Sequence, residues 1–331
     1  MRLGLLLELP TQGENVELAR RAEAAGFESV WAPEFHNHSG VLALAAAAFA
    51  TERVELGTGI AWAFARSPLL TAVTALDLDE MSGGRFVLGL GTGTRRMRSD
   101  WLGAPGERPA RRVRETIEAI RAVWAAGEAG SIEYEGELVK LSVQPYGRPR
   151  QVRDRIPIYL AAVNEGMLRT AAEVADGVVA HPMTTVRYLE EVVRPAVGDT
   201  EIADWVIVAA SDDASQARED AKRQIAFHAT VRTYDRILEL NGFDGPAAEI
   251  RERWKSFDLQ GMTELVTDEM LEAMAVAGTP QECREQVAER ASSGDRLLLG
   301  APVVATDPGR IRDYHDAIVE TFASNASASS S

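Results

Sequence analysis

The 331-residue chain has a single cysteine, Cys283. That excludes a disulfide framework and any metal site built on several thiolates. It also fits a reducing compartment, so a cytoplasmic location is expected. Positive charge is in short supply as well: 35 Lys and Arg stand against 50 Asp and Glu, a net charge of −15. Such a surface does not serve as a general binder of nucleic-acid phosphates, and no nucleic-acid partner is expected. Long apolar runs are missing too. No stretch approaches about 18 uninterrupted apolar residues, so no membrane-spanning helix and no membrane partner are expected. The alanine-rich run over 41–50 is too short to span and reads as a buried helix. Residues 1–10 are broken by Glu8 and lack a small-residue cleavage site, so they read as a first strand rather than a signal peptide.

What the chain does have is a rhythm. Strand-like runs at 3–9, 29–33, 54–60, 85–94, 156–162, 177–180, 205–210 and 296–301 alternate with helical periodicity at 14–25, 41–50, 68–78, 108–126, 166–175, 186–197, 214–234 and 308–322. Eight such repeats predict one α/β domain, a single (β/α)8 TIM barrel over 1–323, with a doubly wound sheet as the alternative. Two insertions interrupt it, a hairpin at about 131–141 and an irregular segment at about 241–258 carrying Gly242, Gly245, Pro246, Trp254 and Phe257. The Ser/Ala-rich tail, 324–331, is expected to be disordered.

A barrel of this kind carries its chemistry at the C-terminal ends of the strands. At the first end stands Glu8, a carboxylate inside a leucine run. At the second stand His36 and His38, two residues apart; in extended chain they would point the same way and share a metal, or one would donate a proton. The third ends in Thr58, Gly59 and Ile60. The fourth carries Gly89, Gly91 and Gly93 with period two, which leaves one face without side chains. Either another backbone or a flat ligand then comes close, and the pattern alone does not decide which. Thr92 and Thr94 follow with hydroxyl donors, and Arg95, Arg96 and Arg98 with groups suited to phosphate or carboxylate. Ala161, Ala162 and Val163 precede a helix N-terminus, where an anion can sit. His181 closes the sixth strand. His228 and His315 fall inside helical periodicity and read as structural.

Residues 22–31 (AEAAGFESVW) with Glu34 and His36, 55–60 (ELGTGI), 77–93 (DLDEMSGGRFVLGLGTG), 171–179 and 278–282 (GTPQE) carry a resemblance to the bacterial-luciferase-like monooxygenase superfamily. Within it the chain is most similar to the branch that uses the deazaflavin coenzyme F420. The resemblance implies a ring lying across the barrel mouth and a non-proline cis peptide at Gly59-Ile60. It also implies a histidine near the reactive ring carbon, matching His36 or His38, and a cofactor phosphate near Ala161, Ala162 and Val163. The resulting expectation is an oxidoreductase moving a hydride between F420 and a small organic molecule, with His36, His38 and Glu8 as catalytic candidates. Thr58, Gly59, Ile60, Gly91, Thr92, Gly93, Arg95, Arg96, Ala161, Ala162, Val163 and His181 are the expected cofactor contacts. An FMN-dependent monooxygenase of the same superfamily is the alternative. A metal-dependent hydrolase using His36, His38 and His181 is a weaker one, because the eighth strand ends in Gly300-Ala301-Pro302 without a carboxylate; no metal is expected. Analogy favours a homodimer.

Overall fold

In the structure, a computed structural model that describes residues 2–103, 108–126, 130–147, 151–291 and 293–324, strand β1 (Arg2–Leu6) pairs with β2 (Ser29–Ala32), and β2 with β3 (Glu55–Thr58). The ladder continues through β4 (Phe86–Gly91), β5 (Ile158–Ala161), β6 (Gly177–Ala180), β7 (Glu201–Ala210) and β8 (Arg296–Gly300). β8 then returns to β1, with Arg296 opposite Arg2 and Leu299 opposite Leu5. Every one of these pairings is parallel. The sheet is therefore a closed (β/α)8 barrel, and the doubly wound alternative is excluded.

Helices α1 (Gln12–Ala25), α2 (Gly40–Ala50), α3 (Pro68–Met81), α4 (Pro109–Ala126), α5 (Glu165–Val174), a helical stretch over 186–197, α6 (Ala214–Ala229), α7 (Pro280–Arg290) and α8 (Pro308–Thr321) cover the outside. Their ends follow local chemistry. Thr11 and Glu14 form a capping box before α1, as Thr279 and Glu282 do before α7. Arg85, in the turn before β4, donates to the carbonyls of Ala48, Thr51 and Val54 and so fastens the end of α2 to the start of β3.

Inside the barrel, seven strands each contribute one buried apolar residue: Leu6, Trp31, Val87, Tyr159, Val179, Ala203 and Leu298. Beneath them Arg296 reaches Glu55 at 2.7 Å and Glu201 at 2.6 Å, and Arg2 reaches Glu201 at 2.9 Å. The Arg296 guanidinium also lies 5.8 Å from the Trp31 ring and 5.6 Å from that of Tyr159. A charged plug thus closes the N-terminal floor, which leaves the opposite end for function.

Several elements differ from the periodicity. Helix α6 stops at Ala229 rather than 234, and a 3₁₀ turn, Arg232–Tyr234, follows. The segment 241–258 is not irregular: it holds the helix Asp244–Trp254. Gly245 and Pro246 occupy its first turn, where a missing N–H breaks no helical bond. The hairpin is longer than expected, Gly130–Glu135 paired with Lys140–Tyr146. A short strand, Ala275–Gly278, adds to the upper part of β7. Of the tail, Ser324 is tied to Ala25, its N–H donating to that carbonyl at 2.8 Å; the expectation of disorder for the rest falls on 325–331, outside the described residues.

Candidate functional site

The glycine strand is explained by its neighbour. After β3 the chain passes through a cis peptide between Gly59 and Ile60, as the resemblance implied, and rejoins the sheet by pairing Ala61 and Trp62 with Leu90 and Gly91. A Cβ at Gly89 would stand 1.9 Å from the Thr58 carbonyl oxygen, and one at Gly91 2.6 Å from the Ile60 side chain. The bare face is filled by this bulge, so the space over Gly89 and Gly91 that a ligand was expected to take serves close packing instead. Thr58 is corrected likewise: it is fully buried and its hydroxyl donates to the Gly89 carbonyl at 2.7 Å. What the bulge offers to the mouth is the partly exposed Ile60, beside Ala161. Glu34 braces it from outside. Its N–H donates to the Ile60 carbonyl at 3.0 Å, its carboxylate takes both Arg66 nitrogens at 2.7 Å, and its carbonyl accepts the Trp62 indole N–H at 2.6 Å.

The segment after β2 is a turn, not an extended chain. Phe35 and His38 exchange backbone bonds of 3.0 and 3.4 Å, which puts His36 and Asn37 at its tip. The alternation that would aim His36 and His38 at one metal is therefore lost. Among the described residues no three His, Cys, Asp or Glu come together as a ligand set. The exposed His36 ring packs 4.5 Å from Phe35 and 5.3 Å from Trp101, and Trp101 stacks on Trp62 at 5.7 Å.

Beyond β4, the Thr92 hydroxyl donates to the Gly93 carbonyl at 3.3 Å, and a π-helical turn, Met97–Trp101, follows. Arg95 and Arg96 are exposed, and Arg96 pairs with Asp100 at 3.4 Å. The buried arginine is Arg98. Its Nη1 donates to the Gly93 carbonyl at 2.7 Å, while its Nε is buried without a partner among the described residues. Burial, and then Arg95, pull its pKa below the ordinary value.

Glu8 lies just past β1. Its Oε2 is buried and has no hydrogen-bond partner among the described residues. A Cβ at Gly300 would stand 2.9 Å from that oxygen and 2.8 Å from the indole nitrogen of Trp205, so the two side chains meet over Gly300 between β7, β8 and β1. Burial pushes the Glu8 carboxyl up to about 8, so it holds its proton at neutral pH.

Across β5 and β6 the expected contacts divide. Ala161 faces the barrel interior, Ala162 belongs to the outer core, and the Val163 carbonyl accepts the Tyr188 hydroxyl at 3.0 Å. His181 stacks on Tyr234 with ring centroids 3.9 Å apart and meets the edge of His228 at 4.9 Å. The Met183 N–H donates to its Nδ1 at 3.2 Å. Burial, and then His228, hold His181 well below the usual imidazole pKa, and burial lowers His228 to about 4. His228 therefore joins the mouth, contrary to its structural reading. It reaches there from α6, and its place in the helical periodicity carries no sign of this.

The profile of the luciferase-like monooxygenase family matches residues 5–297. The chain belongs to that family. Among relatives, a 5,10-methylenetetrahydromethanopterin reductase of Methanolobus tindarius is 31% identical over 300 residues, covering 86% of this chain and 89% of the reductase. An uncharacterised protein of Mycobacterium tuberculosis is 37% identical over 292 residues, covering 79% of this chain and 84% of that protein. Among solved structures, the coenzyme F420 dependent tetrahydromethanopterin reductase of Methanopyrus kandleri superposes with a TM-score of 0.81 at 26% identity, covering 97% of both chains.

In this luciferase-like chain a cavity of 740 Å³ lies away from the mouth, outside the barrel between α4, the hairpin and α5. Several of its charged groups pair with their neighbours: Arg111 takes Glu115 at 3.0 Å and Glu137 at 2.7 Å, and Tyr134 donates to Glu118 at 2.6 Å. At the mouth, by contrast, Glu8 Oε2 and Arg98 Nε are buried with no hydrogen-bond partner among the described residues.

Proposed function

We propose that the protein is an oxidoreductase that uses coenzyme F420 to exchange a hydride with a small organic substrate. The observation that carries this reading is the shelf of Ile60 and Ala161 at the mouth, flanked by Trp62 and Trp101. It is apolar and lies where the resemblance places the deazaflavin ring. The relatives whose names include tetrahydromethanopterin reductase, one of them F420 dependent, support the same choice of cofactor. The unpartnered Glu8 Oε2 and Arg98 Nε are groups that a polar ligand at the mouth would satisfy.

When bound, F420 supplies the hydride; the chain supplies position and protons. Ile60 and Ala161 support the ring. Trp62 and Trp101 exclude water from one side, with His36 at their rim. Glu8 holds a proton at neutral pH and is placed to offer it to an oxygen or nitrogen of the substrate. His36 lies close enough to the surface to exchange protons with solvent, and is the second acid–base candidate. His38, which closes the same turn, is only partly exposed and is the weaker of the two histidines. Mixing the protein anaerobically with reduced F420 and a panel of ketones, aldehydes, imines and enones tests the reading. Reoxidation of F420 without oxygen is expected; turnover that requires oxygen and FMN would support the monooxygenase alternative instead.

The active form is a homodimer in this proposal. Helix α2 carries no charged residue, and its Leu42 and Phe49, with Leu70 of α3, are exposed. An apolar face of this kind is covered in the functional state of a soluble enzyme. Sedimentation should show a dimer that Phe49→Glu with Leu70→Glu converts to monomer. A wild-type monomer at micromolar concentration would reject the assembly.

A further inference from the structure

The shelf on β3, β4 and β5 accounts for half of the mouth. The facing half, β6 to β8, presents His181 and Trp205, joined from outside by His228 of α6 and by Tyr234. The segment carrying them is anchored there at two points. Asn164, after β5, donates to the Thr233 carbonyl at 3.1 Å, and Gln224 accepts the Val303 and Val304 N–H groups at 3.1 and 2.9 Å from the loop after β8.

Those bonds also decide where the protons sit. Because the Met183 N–H occupies Nδ1 of His181, the neutral ring keeps its hydrogen on Nε2. Because Gln224 Oε1 is taken by two backbone donors, its amide nitrogen donates to Nε2 of His228 at 2.9 Å, and His228 keeps its hydrogen on Nδ1. The Tyr234 hydroxyl has no hydrogen-bond partner among the described residues, and burial raises its pKa so that it stays a donor. Both histidine residues are only partly buried. The result is three neutral donors on stacked, fixed rings with no carboxylate among them.

We propose that His181, His228 and Tyr234 form a recognition wall for the substrate, and that it takes a planar group bearing carbonyl or ring-nitrogen acceptors and no positive charge. A cation would find no partner there, and an apolar ring would leave the donors unsatisfied. The assignment of this half to substrate rests on the cofactor reading above.

Menadione, a planar quinone, and 2-methylnaphthalene, of similar shape without acceptors, are the probes. Their dissociation constants come from quenching of tryptophan fluorescence, with and without saturating oxidised F420. Wild type is expected to prefer menadione by about tenfold or more, the discrimination that one or two satisfied donors supply. His181→Phe and Tyr234→Phe should each remove most of that preference, and His181→Gln, which restores a donor, should keep it. Tyr234→Phe deletes one oxygen and leaves the ring stack, so it tests the wall even where His181→Phe does not fold. Equal binding of the two probes by wild type, absence of menadione binding, or a preference that survives both phenylalanine variants would overturn the proposal. If F420 does not bind but the preference follows His181 and Tyr234, the cofactor reading fails and the wall stands.

Discussion

Glu8 is a carboxyl group whose ionised form would have neither water nor a partner at Oε2. The consequence is a definite pH dependence of stability. Its pKa is raised by burial from the ordinary 4.5 to about 8, so between those values the folded chain binds more protons than the unfolded one. Stability therefore falls as pH rises through that window and levels off above it. The residue as a whole keeps some exposed surface, so the linkage cost of roughly 4–5 kcal/mol is an upper bound. Glu8→Gln removes the titration: its melting temperature should exceed wild type at pH 9 by several degrees and converge with it near pH 4, whereas parallel curves would contradict the assignment. At the glycine strand the outcome of a substitution follows from contact. Valine at Gly91 would meet Ile60, so Gly91→Val should cost about 1–3 kcal/mol in denaturant unfolding as well as cofactor affinity. Unchanged stability would return the strand to the ligand-space reading. Glu8 and His181 were legible because position at a strand end suffices to nominate them. The partner of the glycines was not, since period two marks a bare face without telling a ligand from a bulge some thirty residues earlier in the chain. His228 and Tyr234 reach the mouth through tertiary packing that no local pattern encodes, whereas Arg98 was legible in the basic run after the fourth strand.

At the scale of elements, the bulge after β3 depends on Glu34, which ties Ile60, Trp62 and Arg66 together. Glu34→Ala leaves Arg66 without its partner and frees the shelf. Cofactor affinity is expected to fall by about tenfold, in line with the loss of a charge-assisted bidentate pair, while the barrel stays folded. Calorimetric titration checks this, and an unaltered affinity would remove Glu34 from the account. The hairpin is held similarly, by Glu115 of α4, whose carboxylate accepts the Leu138 and Val139 N–H groups at 2.6 and 2.9 Å. Glu115→Ala should expose the hairpin to limited proteolysis without affecting hydride transfer, given its distance in the fold from the strand ends. Both insertions were visible as breaks in the rhythm. Their internal structure was only half visible, because Gly and Pro read as breakers although in Asp244–Trp254 they open a helix.

Across the whole molecule, eight alternations carried the barrel, and closure through Arg296 against Arg2 follows from a parallel sheet whose two edges find each other. The plug of Arg2, Glu55, Glu201 and Arg296 shuts one end, and the opposite end holds Glu8 Oε2 and Arg98 Nε, both buried with no hydrogen-bond partner among the described residues. Which cofactor that end takes is the central claim. Titration of the apoprotein with F420 and with FMN, followed by ligand fluorescence under identical buffer and temperature, tests it most directly. The account predicts saturable one-to-one binding of F420, with FMN at least about tenfold weaker. Tight FMN binding with none of F420 would contradict it.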